Sequence, residues 1–113
     1  MRDAVVIGAG LAGLAASIRL AQRGAQVTLV TKGIGGLQLG QGTIDALGYA
    51  PELVERPLDA ITQLAVDHPP HPYARLGASS VAQSLEWIRE LLGPERLLGS
   101  ADTNVRIPTA LGA

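Results

Sequence analysis

The sequence predicts an α/β fold that opens on a parallel βαβ unit, and three observations point there. Two short β-favouring apolar runs, Ala4–Ile7 and Gln26–Thr31, flank a stretch whose apolar and small positions recur at helical spacing. The distance between the runs suits a helical crossover joining parallel strands. Glycines at 8, 10 and 13 stand where the first run stops and the helical spacing begins.

Ala4–Ile7 is a continuous apolar run closed by glycine, the pattern of a parallel strand buried on both faces. Leu11, Leu14, Ala15, Ile18 and Ala21 then form one stripe of a helix, and Gly24 stops it. Gln26-Val27-Thr28-Leu29-Val30-Thr31 is the second strand, so residues 4–31 complete the unit. Lys32–Gly42 is a loop in which five of eleven residues are glycine, a backbone permissive enough to lie close to something. Pro57 suits the first turn of a second helix, with Leu58, Ile61 and Leu64 or Ala65 as its apolar stripe as far as about Asp67. The prolines of His68-Pro69-Pro70-His71-Pro72 forbid helix. Ser80 and Gln83 have capping-box spacing, Val81, Leu85, Ile88 and Leu92 repeat at helical intervals, and Gly93-Pro94 ends this third helix. Val105, Ile107 and Pro108–Gly112 predict two extended pieces around a turn, a short C-terminal β-hairpin at an edge.

At 47% hydrophobic and 17% charged, the 113 residues are too apolar to stay disordered, and the length is that of one core. Aromatics are 3% with no Phe, so that core is aliphatic and Ala-rich. A net charge of −1 supplies no basic field for nucleic acid or anionic lipid. Zero Cys removes disulfides, thiolate metal sites, iron–sulfur ligation and a catalytic cysteine from consideration. The N-terminal apolar run is interrupted by Gly8, Gly10, Gly13, Arg19 and Arg23, so neither a signal peptide nor a transmembrane segment of about 18 residues is expected.

Gly8-Ala9-Gly10-Leu11-Ala12-Gly13 is a G-x-G-x-x-G, which becomes informative because it follows a strand and opens a helix inside a βαβ unit. In a Rossmann-like FAD/NAD(P)-binding unit Gly8 makes the tight turn, Gly10 admits a pyrophosphate against the backbone, and Gly13 allows close helix–strand packing. The phosphates then sit on the unpaired N–H groups and positive end of the first helix. Small Ser17 and then Gly24 extend the spacing toward the flavin type. A Gly-rich turn with no ligand is the plain alternative. The acid expected about 20 residues on, to bind the ribose hydroxyls, is absent; Thr31 stands there, followed by Lys32. Three readings stay open: Thr31 as a hydroxyl ligand for an FAD ribose, Thr31-Lys32 as a home for the extra phosphate of NADP, or a degenerate site.

Val5-Val6-Ile7-Gly8-Ala9-Gly10-Leu11-Ala12-Gly13-Leu14-Ala15-Ala16, with Gly24 and Thr31-Lys32-Gly33, resembles the FAD-dependent flavoproteins of the fumarate reductase and succinate dehydrogenase type. Gln41-Gly42-Thr43-Ile44-Asp45-Ala46-Leu47-Gly48 and His71-Pro72-Tyr73-Ala74-Arg75-Leu76-Gly77 are similar to the N-terminal region of one branch, the B subunits of bacterial anaerobic glycerol-3-phosphate dehydrogenases. Arg106-Ile107-Pro108-Thr109-Ala110-Leu111-Gly112 is similar to that family's first β-hairpin. The resemblance implies a flavin-binding subunit, with FAD or FMN, of a complex that oxidises glycerol 3-phosphate to dihydroxyacetone phosphate and passes electrons to quinone. It further implies two partner subunits, a catalytic flavoprotein and an iron–sulfur anchor, and a cytoplasmic location, peripheral on the inner membrane. The cofactor-binding residues it implies are Gly8, Ala9, Gly10, Leu11, Ala12, Gly13, Thr31 and Lys32, together with the loop Gly40, Gln41, Gly42 and Thr43 along the flavin. It transfers no catalytic acid, base or substrate-binding residue. The rival function is a non-catalytic NAD(P)-binding or assembly module.

Other residues read more simply. His68 and His71 belong to a stiff polyproline-like connector and not to a metal site, with Tyr73 packing back on the domain. Asp45 reads as a polar turn in preference to a ribose contact, Trp87 as core or partly buried surface, and Glu86, Arg89 and Glu90 as a solvated helix face. A lone βαβ unit with a few further helices leaves sheet surface uncovered, so residues 1–113 are expected to be the N-terminal part of a flavin-binding domain, an incomplete one inactive alone.

Overall fold

The structure, a computed structural model, describes residues 1–40 and 42–108. Where the length suggests one core, the chain forms two compact units, Met1–Thr43 and a second from Ile44 onward.

The first unit is the βαβ: β1 (Ala4–Ile7), α1 (Leu11–Gln22) and β2 (Val27–Val30). The strands are parallel, in the register Ala4 to Val27 through Ile7 to Val30. Asp3 clamps the ladder's lower end, its N–H donating to the Gln26 carbonyl at 3.0 Å and its carboxylate accepting from the Gln26 N–H at 2.8 Å. At the upper end the Gly8 N–H donates to the Val30 carbonyl at 2.8 Å, extending the ladder one residue past β1. The side chains of β1 alternate between two faces. Val6 lies on the side of α1, whereas Val5 is 60% and Ile7 85% exposed. The continuous apolar run that predicts burial on both faces is therefore covered by α1 on one face only. α1 ends as expected, with the Gly24 N–H donating to the Ala21 carbonyl at 2.9 Å.

The predicted loop after β2 includes a short 3-10 turn, Leu37–Leu39. It lies wholly within the first unit.

The second unit is built on α2 (Pro57–Asp67) and α3 (Pro72–Leu92), which pack on each other. Its core is small and aliphatic: Ile61 and Pro57 are fully buried, and Val54 and Val81 are buried as well. Pro57 begins α2 because a first-turn residue needs no N–H donor. Arg56 and Asp59 form an exposed ion pair at 2.6 Å. That hydrogen bond, and then the Asp59 charge, raise the Arg56 guanidinium above its ordinary pKa. Solvent screening makes the pair a minor contributor to stability. Side chains tie the segment before α2 to the rest of the unit. The Tyr73 hydroxyl donates to the Ala46 carbonyl at 2.5 Å, so Tyr73 does pack back as expected. Asn104 Nδ2 donates to the carbonyls of Leu47 and Val54, both at 2.8 Å, while the Asn104 N–H donates to Glu55. Trp87 is half-buried.

Three expectations differ from the structure. α3 begins at Pro72, eight residues before Ser80, because Pro72 occupies a first-turn position and the preceding His71 caps the helix, its Nδ1 accepting the Tyr73 N–H at 3.1 Å. Gly77 (φ 75°, ψ 154°) is not helical, in a conformation that only glycine adopts readily, and it divides α3 into two helical stretches, the second carrying the predicted stripe Val81, Leu85, Ile88 and Leu92. Ser80 and Gln83 consequently lie inside the helix and form no capping box. The Ser80 carbonyl instead accepts from Ser84 Oγ at 2.7 Å, and Gln83 bonds Ser79 at 3.1 Å. Of the expected hairpin, Val105–Pro108 is not in a strand, and residues 109–112 lie outside the described residues.

Candidate functional site

The site predicted from the glycine spacing is the junction of β1 and α1. Because its N–H completes the sheet ladder with Val30, Gly8 serves as the turn and its amide is engaged in the sheet. Gly10 is the N-cap of α1, extended at φ −76° and ψ 177°, and its carbonyl accepts the Leu14 N–H at 3.0 Å. The N–H groups of Leu11, Ala12 and Gly13 have no acceptor one turn earlier within the helix. Among the described residues no side chain caps this end, and no acidic residue occupies the first turn to repel an incoming anion. A Cβ added at Gly10 would meet nothing within 4 Å, so the space in front of the N-cap is open. These features fit a dinucleotide pyrophosphate: helix-end donors that no side chain caps among the described residues, a positive helix end and open space at Gly10.

Gly13 answers to a different constraint. A Cβ there would overlap the Gly8 carbonyl oxygen, 3.1 Å from the Gly8 carbonyl carbon and 3.6 Å from Val6 Cγ1. Helix and strand are therefore in backbone contact at this point, which is why the third glycine is needed. Gly13→Ala is expected to lower unfolding free energy by about 1–3 kcal/mol through overpacking, read as a shift of the denaturant midpoint. An unchanged midpoint would mean that α1 does not sit this close to the turn.

At the end of β2 the Thr31 hydroxyl donates to the Gly33 carbonyl and accepts the Gly33 N–H at 3.1 Å. The Thr31 side chain is thus turned onto the Gly33 peptide. Lys32 is exposed beside it. Gly40 closes the 3-10 turn, its N–H donating to the Leu37 carbonyl at 3.2 Å. Gly42 and Thr43 follow at the end of the unit, and Gln41 lies outside the described residues. Gly8, Ala9, Gly10, Leu11, Ala12 and Gly13 are brought together by the turn, and the Gly8–Val30 hydrogen bond ties it to the strand that ends before Thr31. The loop residue that reaches the turn is one the sequence did not single out: Gly35, which lies against Ala9 and Gly10. Its signal was one glycine among five in the loop, indistinguishable by type from its neighbours.

The second unit has a pocket of about 100 Å³ lined by Ile44, Pro57, Leu85 and Leu97, with the Glu86–Arg89 ion pair (3.1 Å) among its walls. It contains none of the predicted site residues. Among the described residues no three His, Asp or Glu side chains group as a metal site, and no helix is long and apolar enough to cross a membrane.

Comparison with known proteins points to a flavin cofactor. Residues 3–113 match the model of the FAD binding domain family. The chain is 41% identical over 114 residues to the B subunit of anaerobic glycerol-3-phosphate dehydrogenase from Pectobacterium atrosepticum, covering 97% of this chain and 27% of that protein. It is 37% identical over 92 residues to the subunit of the same name from Vibrio cholerae, covering 80% of this chain and 21% of the relative. With the Vibrio vulnificus subunit it shares 35% identity over 97 residues, 84% of this chain and 22% of the other. The chain thus spans about a quarter of the length of these curated relatives. No solved structure gives a significant match. An uncapped, carboxylate-free helix start behind a glycine turn, in a chain matched from residue 3 to residue 113, places this protein in the FAD-binding domain family.

Proposed function

We propose that the chain is the N-terminal, Rossmann-like part of the flavin-binding domain in a B subunit of an anaerobic glycerol-3-phosphate dehydrogenase, and that it holds the adenosine diphosphate half of FAD. The observation that supports this reading is the open N-terminus of α1: Gly10 leaves space beside it, and among the described residues no side chain caps the first-turn donors and no acid lies in the first turn. In this reading the N–H groups of Leu11, Ala12 and Gly13, with the backbone of Ala9 and Gly10, take the pyrophosphate. Thr31 accepts a ribose hydroxyl, Lys32 adds positive charge at the same edge, and the loop Gly40, Gln41, Gly42 and Thr43 runs along the flavin. FAD, when bound, supplies two-electron redox chemistry to the oxidation of the substrate's secondary alcohol to a ketone. The residues named here bind and orient. Partner subunits accord with the relatives' description as the B subunit of a dehydrogenase, and a peripheral position at a membrane belongs to the same reading.

The full-length protein as purified is expected to show flavin absorbance and to release a cofactor with the mass of FAD. A colourless protein that takes up neither FAD nor FMN from solution would contradict the reading, and release of FMN alone would contradict the pyrophosphate site.

A further inference from the structure

We infer that Gly35 is a positioning residue of the FAD site, through which the loop after β2 rests on the glycine turn and holds it in shape. The ligand's identity rests on the flavin reading above; the contact does not. Gly35 has φ 73°, and a Cβ there would stand 2.6 Å from the Ala9 carbonyl carbon and 2.8 Å from the Gly10 nitrogen, overlapping the Ala9 carbonyl oxygen. All three are main-chain atoms, so no side chain can swing aside to make room.

The peptide beneath cannot easily yield either. It is held on one side by the Gly8 N–H on Val30 at 2.8 Å and on the other by the Gly10 carbonyl on the Leu14 N–H at 3.0 Å. Moving it would break the sheet ladder or the first turn of α1. The loop's own course is set at its start, where the Thr31 hydroxyl bonds both the carbonyl and the N–H of Gly33. Neighbouring glycines are under no such restriction: Cβ atoms at Gly33 and Gly36 would meet nothing within 4 Å, and Gly36 has an ordinary φ of −86°. Thr31, Gly33 and Gly35 therefore act as a clasp between the end of β2 and the Ala9-Gly10 peptide. A side chain at 35 would press on the nitrogen of the N-cap residue, next to the donors that receive the pyrophosphate.

The test compares Gly35→Ala, Gly36→Ala and Gly24→Ala in the full-length protein. Gly24 supplies the control for backbone conformation, since it has φ 87° with nothing within 4 Å of an added Cβ. Three quantities are read: the FAD dissociation constant, the melting temperature without FAD, and deuterium uptake at residues 8–13 without FAD. Gly36→Ala is expected to match the parent in all three. Gly24→Ala should lower the melting temperature while leaving FAD affinity and uptake at 8–13 near the parent's. Gly35→Ala should weaken FAD binding about tenfold or more and speed uptake at 8–13. The inference is overturned if Gly35→Ala keeps the parent's affinity and uptake, or if Gly24→Ala loses as much as Gly35→Ala. If Gly35→Ala does not fold, Thr31→Val opens the clasp without adding atoms to the turn, and unchanged uptake at 8–13 in that variant overturns the inference. A parent that takes up no FAD, while Gly35→Ala alone still loosens residues 8–13, would end the flavin reading and support the contact.

Discussion

Gly10→Val is expected to yield a folded protein that no longer retains FAD. At φ −76° and ψ 177° position 10 has a backbone open to any residue, and an added Cβ meets no described residue beyond its chain neighbours within 4 Å. The expense to folding is confined to replacing glycine by a poorer N-cap, about 1 kcal/mol. The cofactor fares differently, because the isopropyl group would project into the space in front of the helix end. Hydrogen bonds to a charged acceptor are each worth about 1.5–3 kcal/mol, so displacing the pyrophosphate from one or two N–H groups weakens binding roughly 100-fold. Calorimetric titration with FAD, alongside circular dichroism for the fold, separates the two effects. Retained affinity would show that the turn is not where the phosphates lie.

Ile61→Ala is expected to be the most damaging single truncation in the second unit. Ile61 has no exposed surface and sits on the inner side of α2 among few other buried side chains, Val54, Pro57 and Val81. Removing its outer carbons sacrifices their transfer free energy and leaves a cavity that a core this small has little material to fill. Such truncations cost about 2–5 kcal/mol, a large fraction of the roughly 5–15 kcal/mol that holds an ordinary domain together. Val66→Ala on the same helix, at a side chain 71% exposed, should stay within about 0.5 kcal/mol of the parent. Urea unfolding followed through the helical signal checks both. Equal midpoints for the two variants would mean that Ile61 is not a core residue.

The first unit was legible in the sequence because its signals are local and agree with one another. Apolar runs, a change to helical spacing and glycines at both junctions all mark the same boundaries, and β1, α1 and β2 lie within a residue or two of them. Proline misled at α3, because Pro72 breaks helix in the middle of one and starts it at the first turn. Choosing between these required His71, whose capping role depends on side-chain geometry. The Gly77 kink likewise displaced the expected cap at Ser80. On β1 the apolar run states a preference for burial, and within residues 1–113 only α1 covers a face of it; Val5 and Ile7 are exposed. At the candidate site the Gly8–Gly13 turn could be read from spacing. Gly35 could not, because its importance lies in a contact with Ala9 and Gly10, some 25 positions earlier in the chain. Composition reports that a loop is glycine-rich, and only the fold reports which glycine touches something.

The most direct test of the phosphate site is a titration of the isotopically labelled protein with FAD, followed through its backbone amide resonances. The largest shifts are expected at Leu11, Ala12 and Gly13, whose N–H groups are uncapped, with a smaller response at Gly8, whose N–H is already bonded to Val30. Saturable FAD binding that leaves the amides of residues 9–13 unmoved would contradict the assignment of the α1 N-terminus as the pyrophosphate site.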